Sequence, residues 1–166
     1  MGQFKKLMQF LDANNNKIQL PKGTPIFWRI SAYALVISDS KLLTEIPTWS
    51  PLFELPGGGV EEKEKIKTGI IRECYEETGY KIKITDDIPF YLGESNFFHK
   101  HQKEFYHSII IVFRASLISK KQNESVINTY DGNEIQEVYW KKLSTFTKNN
   151  THPIIYPAIY KLRHNL

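Results

Sequence analysis

Apolar positions change their period several times along the chain. Phe4, Leu7, Met8 and Leu11 recur at helical spacing before the turn-forming run Asp12-Ala13-Asn14-Asn15-Asn16, which predicts a short amphipathic helix over residues 4–11. From Lys17 to Pro56 the spacing becomes strand-like. Its clearest runs, Tyr33-Ala34-Leu35-Val36-Ile37 and Leu52-Phe53-Glu54-Leu55, are separated by Asp39-Ser40 and a loop from Pro47 to Pro51. After Gly57-Gly58-Gly59 comes a charged stretch of helical period over 62–78, closed by Gly79, a residue suited to left-handed backbone beyond a helix end. Strands are expected next over 81–84, 90–93 and 105–118, then a polar loop over 119–134, a strand at 138–140 and a closing helix over 154–162. Helices flanking strands of variable pairing imply one mixed α/β domain.

The chain has 166 residues, the length of one domain, and is 41% hydrophobic, 13% aromatic and 24% charged, which excludes disordered and collagen-like classes. Its net charge of +4 and pI near 9.0 form a mild excess. That excess suits an anionic small substrate, and no dense basic stripe marks a nucleic-acid binder. A single cysteine, Cys74, excludes an internal disulfide and a zinc site of several thiolates, and a reducing cytoplasm is the expected location. No apolar run has the length of a membrane span, and the start Met-Gly-Gln-Phe-Lys-Lys lacks the apolar stretch of a signal peptide. Gly2 is followed by Lys6 where a myristoylation site requires Ser or Thr. Residues 1–25 read as an extension of a single domain spanning 1–166, able to cover a substrate pocket or mediate dimerisation, in a monomer or homodimer.

The segment Gly58 to Tyr80 carries the chemistry. At about 100° per residue, with Ile66 at zero, Ile66, Ile70 and Cys74 span an arc of about 80°. Glu77 falls inside that arc, Glu73 about 20° beyond it and Glu76 about 80° beyond it. Two carboxylates therefore lie on or beside the apolar face, with the third flanking it. Glu73 and Glu77 repel at a spacing of four, and all three sit near the helix C-terminus, where the dipole disfavours anions. Arg72 offsets part of this by pairing with Glu76, yet one guanidinium cannot balance three clustered carboxylates. Either these glutamates form a solvated face of good helix formers, or a cation binds among them, and hard oxygen ligands suit Mg²⁺ or Mn²⁺. Spacing alone leaves both readings open.

Gly58, five residues, Glu64, seven residues, then Arg72-Glu73-Cys74-Tyr75-Glu76-Glu77-Thr78-Gly79-Tyr80 resembles the Nudix box of the Nudix hydrolase family. All seven fixed letters are present, a coincidence on the order of one in a million or rarer at average residue usage. Outside the box, Glu54-Leu55-Pro56-Gly57-Gly58-Gly59 is similar to the family's strand-to-loop lead-in, and residues 134–140 to its late strand. Cys74 and Tyr80 depart from the aliphatic pattern. Cysteine behaves as a small hydrophobe, so only Tyr80 raises a packing question.

The resemblance implies a Nudix-type α/β/α sandwich with a mixed β-sheet. It also implies Mg²⁺- or Mn²⁺-dependent hydrolysis of the pyrophosphate bond of a nucleoside diphosphate linked to another group: a nucleoside triphosphate, ADP-ribose or a nucleotide sugar. Carried onto matching positions, Glu73, Glu76 and Glu77 would hold metal with the Gly57 carbonyl, and Glu73 is the first candidate to activate water. Arg72 and Glu64 would orient the group, and Glu134 would add a ligand or act as base. The box holds six acidic and four basic residues and the rest of the chain twelve and eighteen, so an acidic site sits in a basic surround.

The alternative in another class is a non-catalytic Nudix-fold nucleotide-binding module, against which the intact carboxylates argue. An isomerase on the same fold would need a cysteine outside the box, and there is none. The triple glycine lacks the P-loop ending and reads as backbone freedom for a tight turn. His99, Lys100, His101 and Lys103, beside Phe97, Phe98, Phe105 and Tyr106, form a basic loop leading into a core strand, with a substrate loop as the lesser reading. His152 and His164 have no partner nameable from sequence.

Overall fold

The computed structural model describes residues 8–100, 102–129 and 134–165. Its centre is two long parallel strands, β3 (Ile26–Ser38) and β8 (Glu104–Leu117), in register from Ile26 opposite Phe105 to Val36 opposite Ala115. The remaining strands are β1 (Phe10–Leu11), β2 (Lys17–Ile18), β4 (Lys41–Pro47), β5 (Gly57–Gly59), β6 (Ile82–Ile84), β7 (Tyr91–His99) and β9 (Ile135–Lys142). The sheet runs β2-β1-β7-β8-β3-β4-β9, with β5 added to β3 and β6 to β8. Asp39 and Ser40, at φ 50° and 60°, make the tight turn from β3 to β4, the conformation a two-residue hairpin requires.

Strand alternation divides the core into two layers. Ala32, Ala34 and Val36 of β3, with Ile111 and Phe113 of β8, face Ile70 and Cys74 of helix α1 (Ile66–Thr78). Tyr33, Leu35, Ile110 and Val112 face Ala158, Ile159 and Leu162 of helix α2 (Tyr156–His164). This is the expected α/β/α sandwich, each fully buried aliphatic contributing about 1.5–3 kcal/mol. Tyr80 fits because its hydroxyl accepts a bond from Trp140 Nε1 at 3.1 Å while the rings meet edge-on. Cys74 is fully buried beneath the sheet, and burial pushes its thiol up, as befits a core residue.

Several expectations need correction. The helix over 4–11 fails in its described part, where Phe10–Leu11 is strand; Phe4 and Leu7 lie outside the described residues. Asp12 Oδ1 accepts the amides of Asn14 and Asn16 and closes a hairpin with β2, while Phe10 is sealed against Phe105 with ring centroids 4.9 Å apart. Tertiary burial outweighs local helical spacing. The box helix starts at Ile66, four residues later than expected, because Glu61–Glu64 turns back and Glu64 accepts the Glu61 amide. Leu52–Leu55 forms single bridges from Phe53 to Thr151 and from Glu54 to Glu45, without a full strand. The closing helix begins at Tyr156, two residues late, and β7 and β9 are longer than their expected cores.

Candidate active site

The box carboxylates occupy the C-terminal half of α1, beside the Gly57–Gly59 loop. Glu77 turns inward and its Oε2 accepts the Gly57 amide at 2.7 Å. Gly57 has φ 131°, and a Cβ there would sit 2.2 Å from the Ala32 carbonyl oxygen, so the loop can lie this close to β3 only with glycine. Gly57→Ala is accordingly expected to cost about 3 kcal/mol or more, read as a lowered urea midpoint.

Arg72 organises the outer carboxylates. Its Nε and Nη2 donate to the two oxygens of Glu64 at 3.2 and 2.8 Å, and Nη1 donates to Glu76 at 2.9 Å. Nη2 also lies 2.9 Å from Glu73. The expected Arg72–Glu76 pair is present and is one arm of a four-residue network. A forked guanidinium in half-buried surroundings is worth more than an ordinary surface pair. It holds Glu64 below the usual carboxylate range and drives its own pKa up.

Behind this network lies a second group that sequence reasoning missed. Glu45 of β4 and Glu54 exchange backbone hydrogen bonds at 3.0 and 2.9 Å, so their side chains stand opposite one another on one face. Glu45 is 2% exposed and Glu54 9%, and Glu45 Oε2 and Glu54 Oε1 are buried with no hydrogen-bond partner among the described residues. Burial first, then repulsion from Glu54, Glu73 and Glu134, pushes Glu45 well above the carboxylate range. Burial, then Glu45 and Glu73, does the same to Glu77, against the Gly57 amide. Glu54 rises to about 8 through burial, with Arg29 opposing. The signal was a Glu inside the apolar run Leu42-Leu43-Thr44-Glu45-Ile46, where a solvated charge has no place.

Glu134 is exposed immediately before β9 and close enough to act on Glu45. His152 is buried against the Phe97 ring, 5.6 Å between centroids, and burial lowers its pKa to about 4. Its Nε2 lies 3.7 Å from Glu54 Oε1, and with the imidazole neutral this is neither an ion pair nor a hydrogen bond. The basic loop is the turn between β7 and β8; His101 lies outside the described residues. Phe105 is buried, as an ordinary core strand requires, while Phe97 and Tyr106 sit in register across the pair.

Orphaned, buried carboxyl oxygens beside Glu73 and Glu77 are the donor set that a hard divalent cation accepts. Among the described residues no three such side chains converge into a ready cage, and Arg72 engages Glu73 and Glu76. The donor types fit such a cation chemically, and Glu73 and Glu76 would have to exchange guanidinium for it.

A family model described as the NUDIX domain matches residues 28–162. No curated protein matches the sequence. A MutT protein from Methanosarcina mazei Go1 is 23% identical at TM-score 0.61, covering 87% of this chain and 99% of its own. A NUDIX hydrolase from Nitrosomonas europaea is 18% identical at TM-score 0.64, covering 82% and 89%. An ADP-ribose pyrophosphatase from Streptococcus suis 89-1591 is 15% identical at TM-score 0.53, covering 81% and 92%. At these identities the structures share the fold with this chain.

Proposed function

Since the chain belongs to the Nudix hydrolase family, we propose that it is an Mg²⁺- or Mn²⁺-dependent pyrophosphohydrolase. Its substrate is a nucleoside diphosphate linked to another group: a nucleoside triphosphate, ADP-ribose or a nucleotide sugar. The observation that carries the reading is the gathering of Glu73 and Glu77 from the box with the buried Glu45 and Glu54 beside the Gly57 loop. A divalent cation bound there supplies charge neutralisation for the pyrophosphate and a lowered pKa for water.

The chain's own residues do the rest. Glu73, Glu76, Glu77 and the Gly57 carbonyl would hold the cation. Glu73 takes the proton of the attacking water, whose oxygen bonds to phosphorus as the bridging P–O bond breaks and the second phosphoryl group leaves. Arg72, locked by Glu64, sets the orientation of Glu73 and Glu76. Glu134 serves as a further ligand or base from the loop before β9. Among the described residues no helix is long and apolar enough to cross a membrane. With its single free, buried cysteine, the protein suits a reducing cytoplasm, as a monomer or homodimer.

The test is hydrolysis of nucleoside triphosphates, ADP-ribose, nucleotide sugars and dinucleoside polyphosphates with Mg²⁺, with Mn²⁺ and with chelator. Metal-dependent release of a nucleoside monophosphate or pyrophosphate is expected. Turnover that survives chelation would sink the reading.

A further inference from the structure

Arg29 of β3 is a basic side chain that nothing in the box explains. Its guanidinium abuts Gly59 through the Nε–Nη2 edge: a Cβ on that glycine would be 2.6 Å from Nη2, 2.8 Å from Nε and 3.0 Å from Cζ. Its Cζ also lies over the Tyr106 ring, 5.6 Å from the centroid. The group is thus held between the glycine loop and an aromatic face. Among the described residues it makes no ion pair within 4.0 Å. The other guanidinium at the site, Arg72, is fully engaged by Glu64, Glu73 and Glu76.

A half-buried guanidinium that acts on Glu54 only at a distance and makes no ion pair among the described residues is left able to take an incoming anion. Its planar fork matches two oxygens of a phosphoryl group, and stacking on Tyr106 fixes the fork before the ligand arrives. The carboxylates repel such a group and Arg29 attracts it, so the two set which end of the substrate faces which wall. Gly59 then has a second reason to be glycine, since any side chain would occupy the guanidinium's place.

We propose that Arg29, seated between Gly59 and Tyr106, is the phosphate-binding arm of the substrate site, taking one phosphoryl group of the nucleotide in a bidentate fork. This rests on the pyrophosphohydrolase reading and names the side chain that grips the substrate's own charge. Removing a charged hydrogen-bonding group of this kind costs on the order of 10–100-fold in binding.

The test is steady-state kinetics of Arg29→Ala, Arg29→Lys and Gly59→Ala on the panel substrate the wild type hydrolyses. Expected is a KM raised about 10–100-fold in Arg29→Ala with kcat little changed, partial recovery in Arg29→Lys, and the same KM rise in Gly59→Ala. An unchanged KM would overturn the proposal. So would a loss confined to stability that Glu54→Gln restores, because Arg29 would then be a counter-charge to Glu54. If the wild type hydrolyses nothing on the panel, the reaction reading fails while Arg29 is still judged by thermal shift with millimolar pyrophosphate under chelator. A shift present in the wild type and absent in Arg29→Ala supports the arm, and equal shifts or none overturn it.

Discussion

Glu77→Gln is expected to lower kcat by about 10²–10⁴-fold and to leave the protein folded with an unchanged or higher Tm. The amide is isosteric, and its oxygen can still accept the Gly57 amide that Glu77 now accepts at 2.7 Å. The loop therefore keeps its anchor. What disappears is a negative charge in a place where burial and the neighbouring Glu45 and Glu73 already disfavour it. The charge is a burden on the empty fold and a requirement for holding a cation, so activity and stability should move in opposite directions. Metal titration by calorimetry would separate the two: weakened Mn²⁺ binding alongside a Tm no lower than wild type is the expected pair. A variant that binds Mn²⁺ normally and turns over at the wild-type rate would remove Glu77 from the site.

The box was readable because its seven letters fix both a helix and a charge pattern, and the angular positions of Glu73, Glu76 and Glu77 followed from the helical period alone. Glu77 inside the apolar arc became the carboxylate that reaches the loop. The run over 33–37 was legible as a strand because it is apolar throughout, which a strand buried on both faces requires: Ala32 and Ala34 face one helix and Tyr33 and Leu35 the other. The unread parts were long-range. Glu45 and Glu54 are nine residues apart and meet only through a backbone bridge. Arg29 meets Tyr106 through a parallel pairing that no local pattern announces. The first strand was mistaken for helix because Phe4, Leu7, Met8 and Leu11 satisfy helical spacing, whereas the partner that settles the matter for Phe10, Phe105, is nearly a hundred residues away.

Under chelator, the protein should lose stability as pH rises above 6.5, and Mg²⁺ should restore most of what is lost. Glu54 has a folded pKa of about 8 against an ordinary 4.5, so between those values the folded state keeps a proton that the unfolded chain releases. Stability then falls with rising pH, by roughly 5 kcal/mol across the whole window. His152 acts in the opposite sense. Its folded pKa of about 4 against 6.5 means the unfolded chain binds the extra proton, so its contribution grows as pH rises through that window and is complete by 6.5. Between 4.5 and 6.5 His152 offsets the fall due to Glu54, so the slope there is shallow and comes from the other raised carboxyls, Glu45 and Glu77, and it steepens above 6.5. Above 6.5 only the carboxyl effect continues. Glu54 alone then removes roughly 2 kcal/mol by pH 8, a fall in Tm of about 4–8 °C, and Glu45 and Glu77 shift in the same direction. A cation binds the deprotonated carboxylates, so its stabilisation should be greater at pH 8 than at 6.5. Scanning calorimetry across this range with chelator and with Mg²⁺, on wild type and Glu54→Gln, tests each step. Glu54→Gln should flatten the chelator profile above 6.5, and a wild-type Tm that rises from 6.5 to 8 under chelator would contradict the buried carboxyl group as its cause.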